Sequence, residues 1–189
     1  VVHNFVKYIQ QAATGKKVLS LLVPAMVVYA LMLVYTIPQV EHYSAGMKLF
    51  DLSPFGYSYQ YAIELLSALG STGRATYLYR QLPLDFVYPG LFPVSFCLLQ
   101  SWLFAKILRA DSKMFSICLV PLTAGLFDYL ENICIVFMLT SFPNVSEMLV
   151  AFASTFTIAK STFTTACFVF LAIGCLLFIR KIRNNTQTR

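Results

Sequence analysis

Charge is scarce in this 189-residue chain, at 12% Asp, Glu, Lys and Arg, about half the ~25% of an ordinary soluble domain. Histidine is scarcer: only His3 and His42, both outside the apolar runs. That removes the ligand set of a histidine-rich zinc or di-iron centre, and no metal or other cofactor is expected. The five cysteines, Cys97, Cys118, Cys134, Cys167 and Cys175, all fall within apolar runs and form no C-x-x-C pair. They read as small buried hydrophobes, not as a disulfide framework or a redox centre. The net charge of +6 raises the question of nucleic acid. The chain has no aromatic-basic module, however, and its basic residues cluster at the ends of apolar runs, so nucleic-acid binding is not expected.

What the chain has in excess is apolar residues, 58% of the total, blocked into runs long enough to cross a bilayer. The reading is an all-α integral membrane protein, a four-transmembrane-helix bundle forming a single domain over 1–189. The spans fall at about 18–37, 84–108, 114–140 and 148–179, with an amphipathic helical cap at 38–82 between helices 1 and 2. Ahead of the first span, Val2, Phe5, Ile9 and Ala12 recur at helical spacing. They predict a short interfacial helix or a polar tail flanking the span. The first apolar run is too long for a cleavable signal, and no small-residue cleavage site follows it.

The 38–82 segment is rich in aromatic and aliphatic residues, unlike a flexible linker. Met47–Asp51 reads as an interfacial apolar patch, and Ser53-Pro54-Phe55-Gly56 as a turn. From Tyr57 to Leu69, Tyr61, Leu65, Leu66 and Leu69 share one helical face. Gly70 to Gly73 break that helix, and Arg74 to Leu82 form a second short surface segment. Span 2 is expected to start at Pro83, which places Asp85 in a first turn, at the positive end of the helix dipole. Pro89, Gly90 and Pro93 predict an irregular outer half. Arg-Ala-Asp-Ser-Lys, 109–113, reads as a tight charged loop, and Asn144-Val145-Ser146 matches a glycosylation acceptor.

In this four-span arrangement, ten Lys and Arg lie on one side (7, 16, 17, 106, 109, 113, 180, 181, 183, 189). Three lie on the other: Lys48, Arg74 and Arg80. The positive-inside rule then makes the protein multi-pass with both termini cytoplasmic and the cap outside.

The third span carries Asp128, Glu131 and Asn132 in the middle of its apolar run. Spacings of three and four put them on one helical face. Intramembrane carboxylates cost about 2.5–3.5 kcal/mol each on insertion scales and so need a reason. Counting from the outer ends of spans 3 and 4 at about 1.5 Å per residue, Lys160 lies at the depth of both acids. A pair with Lys160 is therefore expected. The leftover carboxylate is either protonated by burial beside a like charge or paired with Arg74 or Arg80. Thr157, Ser161, Thr164 and Thr165 extend a polar stripe along span 4.

Two readings follow. In one, these groups are hydrogen-bonding glue between helices. In the other, they form a polar site in the outer half of the bilayer, with Asp128, Glu131 and Lys160 as its acid-base groups. Arg74, Tyr77, Arg80, Asp85 and Asn132 would then contact a ligand. The two arginines either bind a lipid phosphate or pair with Asp85 and Glu64.

The favoured function is binding, or acid-base processing, of a lipid-like amphiphile. One alternative is a non-catalytic subunit or assembly factor with a membrane-protein partner. Another is a proton- or ion-coupled transporter acting as a homo-oligomer, since the chain shows no internal repeat. The apolar stretches Met114 to Leu122 and Phe168 to Phe178 leave no polar path to the inner side, which disfavours transport.

Overall fold

The computed structural model describes residues 2–109 and 112–187; Ala110 and Asp111 of the expected charged loop, and Arg189 of the basic count, lie outside them. The described chain is helical and contains no strand. Helix α1 is Val2–Ala12. Its Ile9 packs with Val18, Cys97 and Leu98, so the amphipathic start is a helix docked on the foot of the bundle. Thr14 caps α2, Gly15–Leu31, by accepting from Lys17 N at 3.4 Å. A π-helical turn, Met32–Thr36, carries α2 into α3, Ile37–Glu41.

Helix α4 is Tyr59–Thr76, capped by Ser58 and broken at Gly70 (φ 59°). A second π-helical turn, Tyr77–Gln81, joins it to α5, Leu82–Phe104. The predicted surface segment 74–82 is thus an extension of the span. Both π turns end two residues before a proline, Pro38 and Pro83. A proline has no N–H for the carbonyl four residues back and crowds it, and a widened turn relieves the clash. Because helix precedes α5, the N–H groups around Asp85 are already used. The expected helix-dipole partner for Asp85 is therefore missing.

A 3₁₀ stretch, Lys113–Leu119, leads into α6, Val120–Ser141, and α7 runs from Glu147 to Gln187. Four helical stretches are long and apolar enough to span a membrane: Gly15–Glu41, Tyr59–Phe104, Met114–Ser141 and Glu147–Asn185. The second and third bury 50% of their most apolar window, against 17% and 11% for the first and fourth. The α5–α6 pair is central, with α2 packed on α5 and α7 packed on α6. Leu19, Val23, Val27 and Val34 of the first span, and Leu176 and Ile179 of α7, are exposed. A water-soluble chain rarely leaves so much contiguous apolar surface open, and a multi-pass membrane protein requires it.

The 42–58 connection is packed into the bundle. Leu49 and Phe50 are fully buried, against Leu65, Leu66, Leu69 and Ile135. Tyr57 N donates to Ser154 Oγ of α7 at 2.8 Å, and Tyr61 OH donates to Lys48 O at 2.8 Å. Gly56 has φ 80°, and a Cβ there would sit 2.5 Å from Ser154 Oγ. Only glycine seats the loop this closely.

Helices α5 and α6 touch at Gly125, where a Cβ would overlap the Pro93 ring and press on Pro89 O. A proline ring cannot swing aside as a flexible side chain can. Gly125→Ala is expected to destabilise the bundle by about 1–3 kcal/mol. Gly15→Ala, whose Cβ meets nothing nearer than Trp102 Nε1 at 3.9 Å, should stay within about 0.5 kcal/mol. Thermal unfolding in detergent measures both, and equal effects would contradict this account of the crossing.

Candidate functional site

The site is built from one face of α6. Asp128, Glu131 and Asn132 are all buried there. Helix α7 returns antiparallel to α6, and its Lys160 bridges the two acids. Lys160 Nζ lies 3.2 Å from Asp128 Oδ1 and contacts Glu131 Oε2. One turn earlier, the Thr157 hydroxyl donates to Glu131 Oε1 at 2.6 Å. The two carboxylates thus share one ammonium. Neither Arg74 nor Arg80 joins them.

Asn132 ties this face to α5. Its Nδ2 donates to the backbone carbonyl of Asp85 at 2.7 Å. That carbonyl has lost its helical donor, because the residue four positions on is Pro89. The side chain of Asp85, 3% exposed, enters the same region, and its Oδ2 has no protein hydrogen-bond partner. Gln81 comes from the π turn preceding α5. Its Oε1 accepts from Thr36 Oγ1 of the other π turn, and its Nε2 is buried without a partner. The proline-driven turns therefore meet each other and present a polar group inward.

A fourth carboxylate arrives from the 42–58 connection. Asp51 Oδ2 accepts from the Tyr77 hydroxyl at 2.8 Å, whereas Asp51 Oδ1 is buried and unpartnered. Burial pushes Asp51 up to about 7, opposed by the charge of Lys160 and reinforced by Glu131 and Asp128. Burial likewise raises the Tyr57 hydroxyl, opposed by Thr157.

These groups surround a cavity of about 430 Å³. Asp51, Gln81, Asp85, Asp128 and Lys160 form its polar end; Met26, Phe92, Phe96 and Phe168 form its apolar end. Helices α2 and α7 supply opposite walls over a back of α5 and α6. Met26, Tyr29, Leu33 and Phe168 line the cavity and are also exposed on the apolar flank of the bundle. The volume lies within the usual ~300–1,000 Å³ of small-molecule sites, and the mix of apolar wall and few polar groups is typical of them.

Of the residues singled out from sequence, Asp128, Lys160 and Asp85 line the cavity; Glu131, Asn132 and Tyr77 do not line it but hold Lys160, the Asp85 carbonyl and Asp51. Arg74 and Arg80 do not line the cavity. Arg74 Nη1 donates to Leu66 O at 2.8 Å, capping the last turn before the Gly70 break, and its guanidinium lies 4.5 Å from the Phe142 ring centroid. Arg80 Nη1 donates to Gln39 Oε1 at 3.0 Å on the surface. Glu64 accepts from Gln60 Nε2 at 2.6 Å, not from an arginine. Asp51, Gln81 and Thr36 are not among the site residues that the sequence singles out. The lone carboxylate in Met-Lys-Leu-Phe-Asp-Leu was the available signal for Asp51, and Gln81 carried none.

Comparison with protein-family models, with curated proteins and with solved structures returned no match. The fold and site define a helical bundle with four stretches long and apolar enough to span a membrane, around an acid-lined, laterally placed chamber.

Asp51 has a testable linkage. Its folded value lies above its ordinary 3.8, so the folded state favours the protonated form. Its contribution to stability is full below about pH 4 and is lost as pH rises through about 7. Between pH 5 and 8, wild type should lose thermal stability more steeply than Asp51→Asn. Parallel pH profiles would show that Asp51 does not titrate in this range.

Proposed function

We propose that this protein binds a lipid-like amphiphile in the outer half of the bilayer, with the 42–58 connection and α4 as a cap and both termini cytoplasmic. The supporting observation is a cavity running from three carboxylates (Asp51, Asp85 and Asp128) and a lysine to a wall of Met26, Phe92, Phe96 and Phe168. A headgroup fits the first end and a hydrocarbon body the second. Exposed lining residues on α2 and α7 give such a molecule a way in from the lipid. The chemistry within reach is proton transfer, since carboxylates, a lysine and tyrosines line the cavity.

Hydrogen-bonding glue accounts for Asp128, Glu131 and Lys160. It leaves Asp51 and Asp85 unexplained, because each buries a carboxylate oxygen that bonds to nothing in the protein.

Native mass spectrometry with lipid analysis tests the proposal. Wild type should carry a defined amphiphile through purification in mild detergent. Thr164→Phe fills the cavity from α7 without touching the charges, and should lose that amphiphile while remaining folded. The same lipid profile in both proteins contradicts the proposal. A membrane protein that co-purifies instead, with no specific lipid, favours an assembly subunit.

A further inference from the structure

Charge balance in the chamber identifies its headgroup. Asp51, Asp85, Asp128 and Glu131 all act electrostatically on Lys160, and among the described residues Lys160 is the only basic side chain in the lining. Its ammonium is committed to Asp128 and Glu131. Asp51 and Asp85 remain, each with an unpartnered buried oxygen. Asp85 and Gln81 are more than nine-tenths buried and both line the cavity. Of the other cations on this side, Arg74 and Arg80 are bonded elsewhere, and Lys48 is exposed and lines the neighbouring groove, not this cavity.

An anionic headgroup would face uncompensated carboxylates in a poorly screened site and would be repelled. A hydroxyl brings a single donor for two carboxylates. An ammonium brings three donors and a full positive charge, which suits Asp51 Oδ1 and Asp85 Oδ2 together. Tyr29 and Tyr88 line the same cavity, their rings stacked at 5.4 Å, and aromatic walls tolerate a cation where aliphatic ones do not. We infer that the ligand of this chamber is an amphiphile with a basic amine headgroup, held between Asp51 and Asp85. The inference rests on the binding function proposed above and narrows it to one chemical class.

The pH dependence follows from the same groups. Asp51 is faced by Tyr77 of the π turn, by Lys160 of α7, by Asp128 and Glu131 of α6, and by Asp85 of α5. An arriving ammonium favours the ionised form of Asp51, so binding displaces a proton when the carboxyl starts protonated. Amine affinity should rise from pH 6 to pH 8 while that of a neutral analogue stays flat.

The test compares dodecylamine, dodecanol and dodecanoic acid as probes in a neutral maltoside detergent, read by thermal shift and by intrinsic fluorescence. Wild type should bind the amine at least about tenfold more tightly than the alcohol, and the acid least. Asp85→Asn should cut that preference to about threefold or less while keeping alcohol binding. Asp51→Asn serves as the second variant should Asp85→Asn not fold, and should also flatten the pH dependence. Equal binding of amine and alcohol to wild type, or an unchanged preference in the Asp85→Asn and Asp51→Asn proteins, overturns the amine assignment and leaves the chamber intact. Failure of all three probes to bind saturably, or binding that Thr164→Phe does not weaken, overturns the chamber itself.

Discussion

A single ammonium shared by two buried carboxylates is the constraint on which the bundle depends. Asp128 and Glu131 lie in the middle of an apolar helix, where ionised groups are expensive. Lys160 contacts both, which fixes the rotation and depth of α7 against α6. Thr157 adds a hydrogen bond to Glu131 from the next turn, so the register is set at two successive levels. The gain is not stability in the ordinary sense, because desolvating three charged groups offsets most of their attraction. It is specificity of packing: any other register of α6 against α7 leaves a charge unpaired.

The rest of the chamber comes from prolines. Pro89 frees the Asp85 carbonyl, and Asn132 takes it up from α6. Pro38 and Pro83 each follow a π-helical turn, and those turns meet through Thr36 and Gln81. Each irregularity leaves backbone or side-chain polarity within a helical stretch apolar enough to span a membrane. Such irregularity is tolerated where it is buried in protein or lines a cavity, and here it does both. Gly125 allows α5 and α6 to close behind this region, and the 42–58 connection brings Asp51 into it.

Local periodicity made much of this legible in the sequence. The spacing of Asp128, Glu131 and Asn132 put them on one face, and depth counting from the helix ends brought Lys160 opposite. Both arguments use only helical rise and a short α6–α7 loop. The misplaced residues fail for reasons of tertiary contact. Charge makes Arg74 a candidate ligand contact, whereas the broken helix uses its guanidinium as a cap. The sequence assigns Asp85 a helix dipole that the continuous helix through Tyr77–Gln81 removes. Asp51 reads from sequence as part of an interfacial apolar patch, because no pattern in a seventeen-residue connection, 42–58, says which side chain turns inward.

The central claim is that Lys160 is held by the two acids of α6, and a stability cycle in detergent tests it most directly. Lys160→Met alone strands two buried carboxylates and should cost about 3–5 kcal/mol. Combining it with Asp128→Asn and Glu131→Gln should recover most of that loss. If Lys160→Met unfolds at the wild-type temperature, or if the triple variant is no more stable than the single one, the shared ammonium does not organise this bundle.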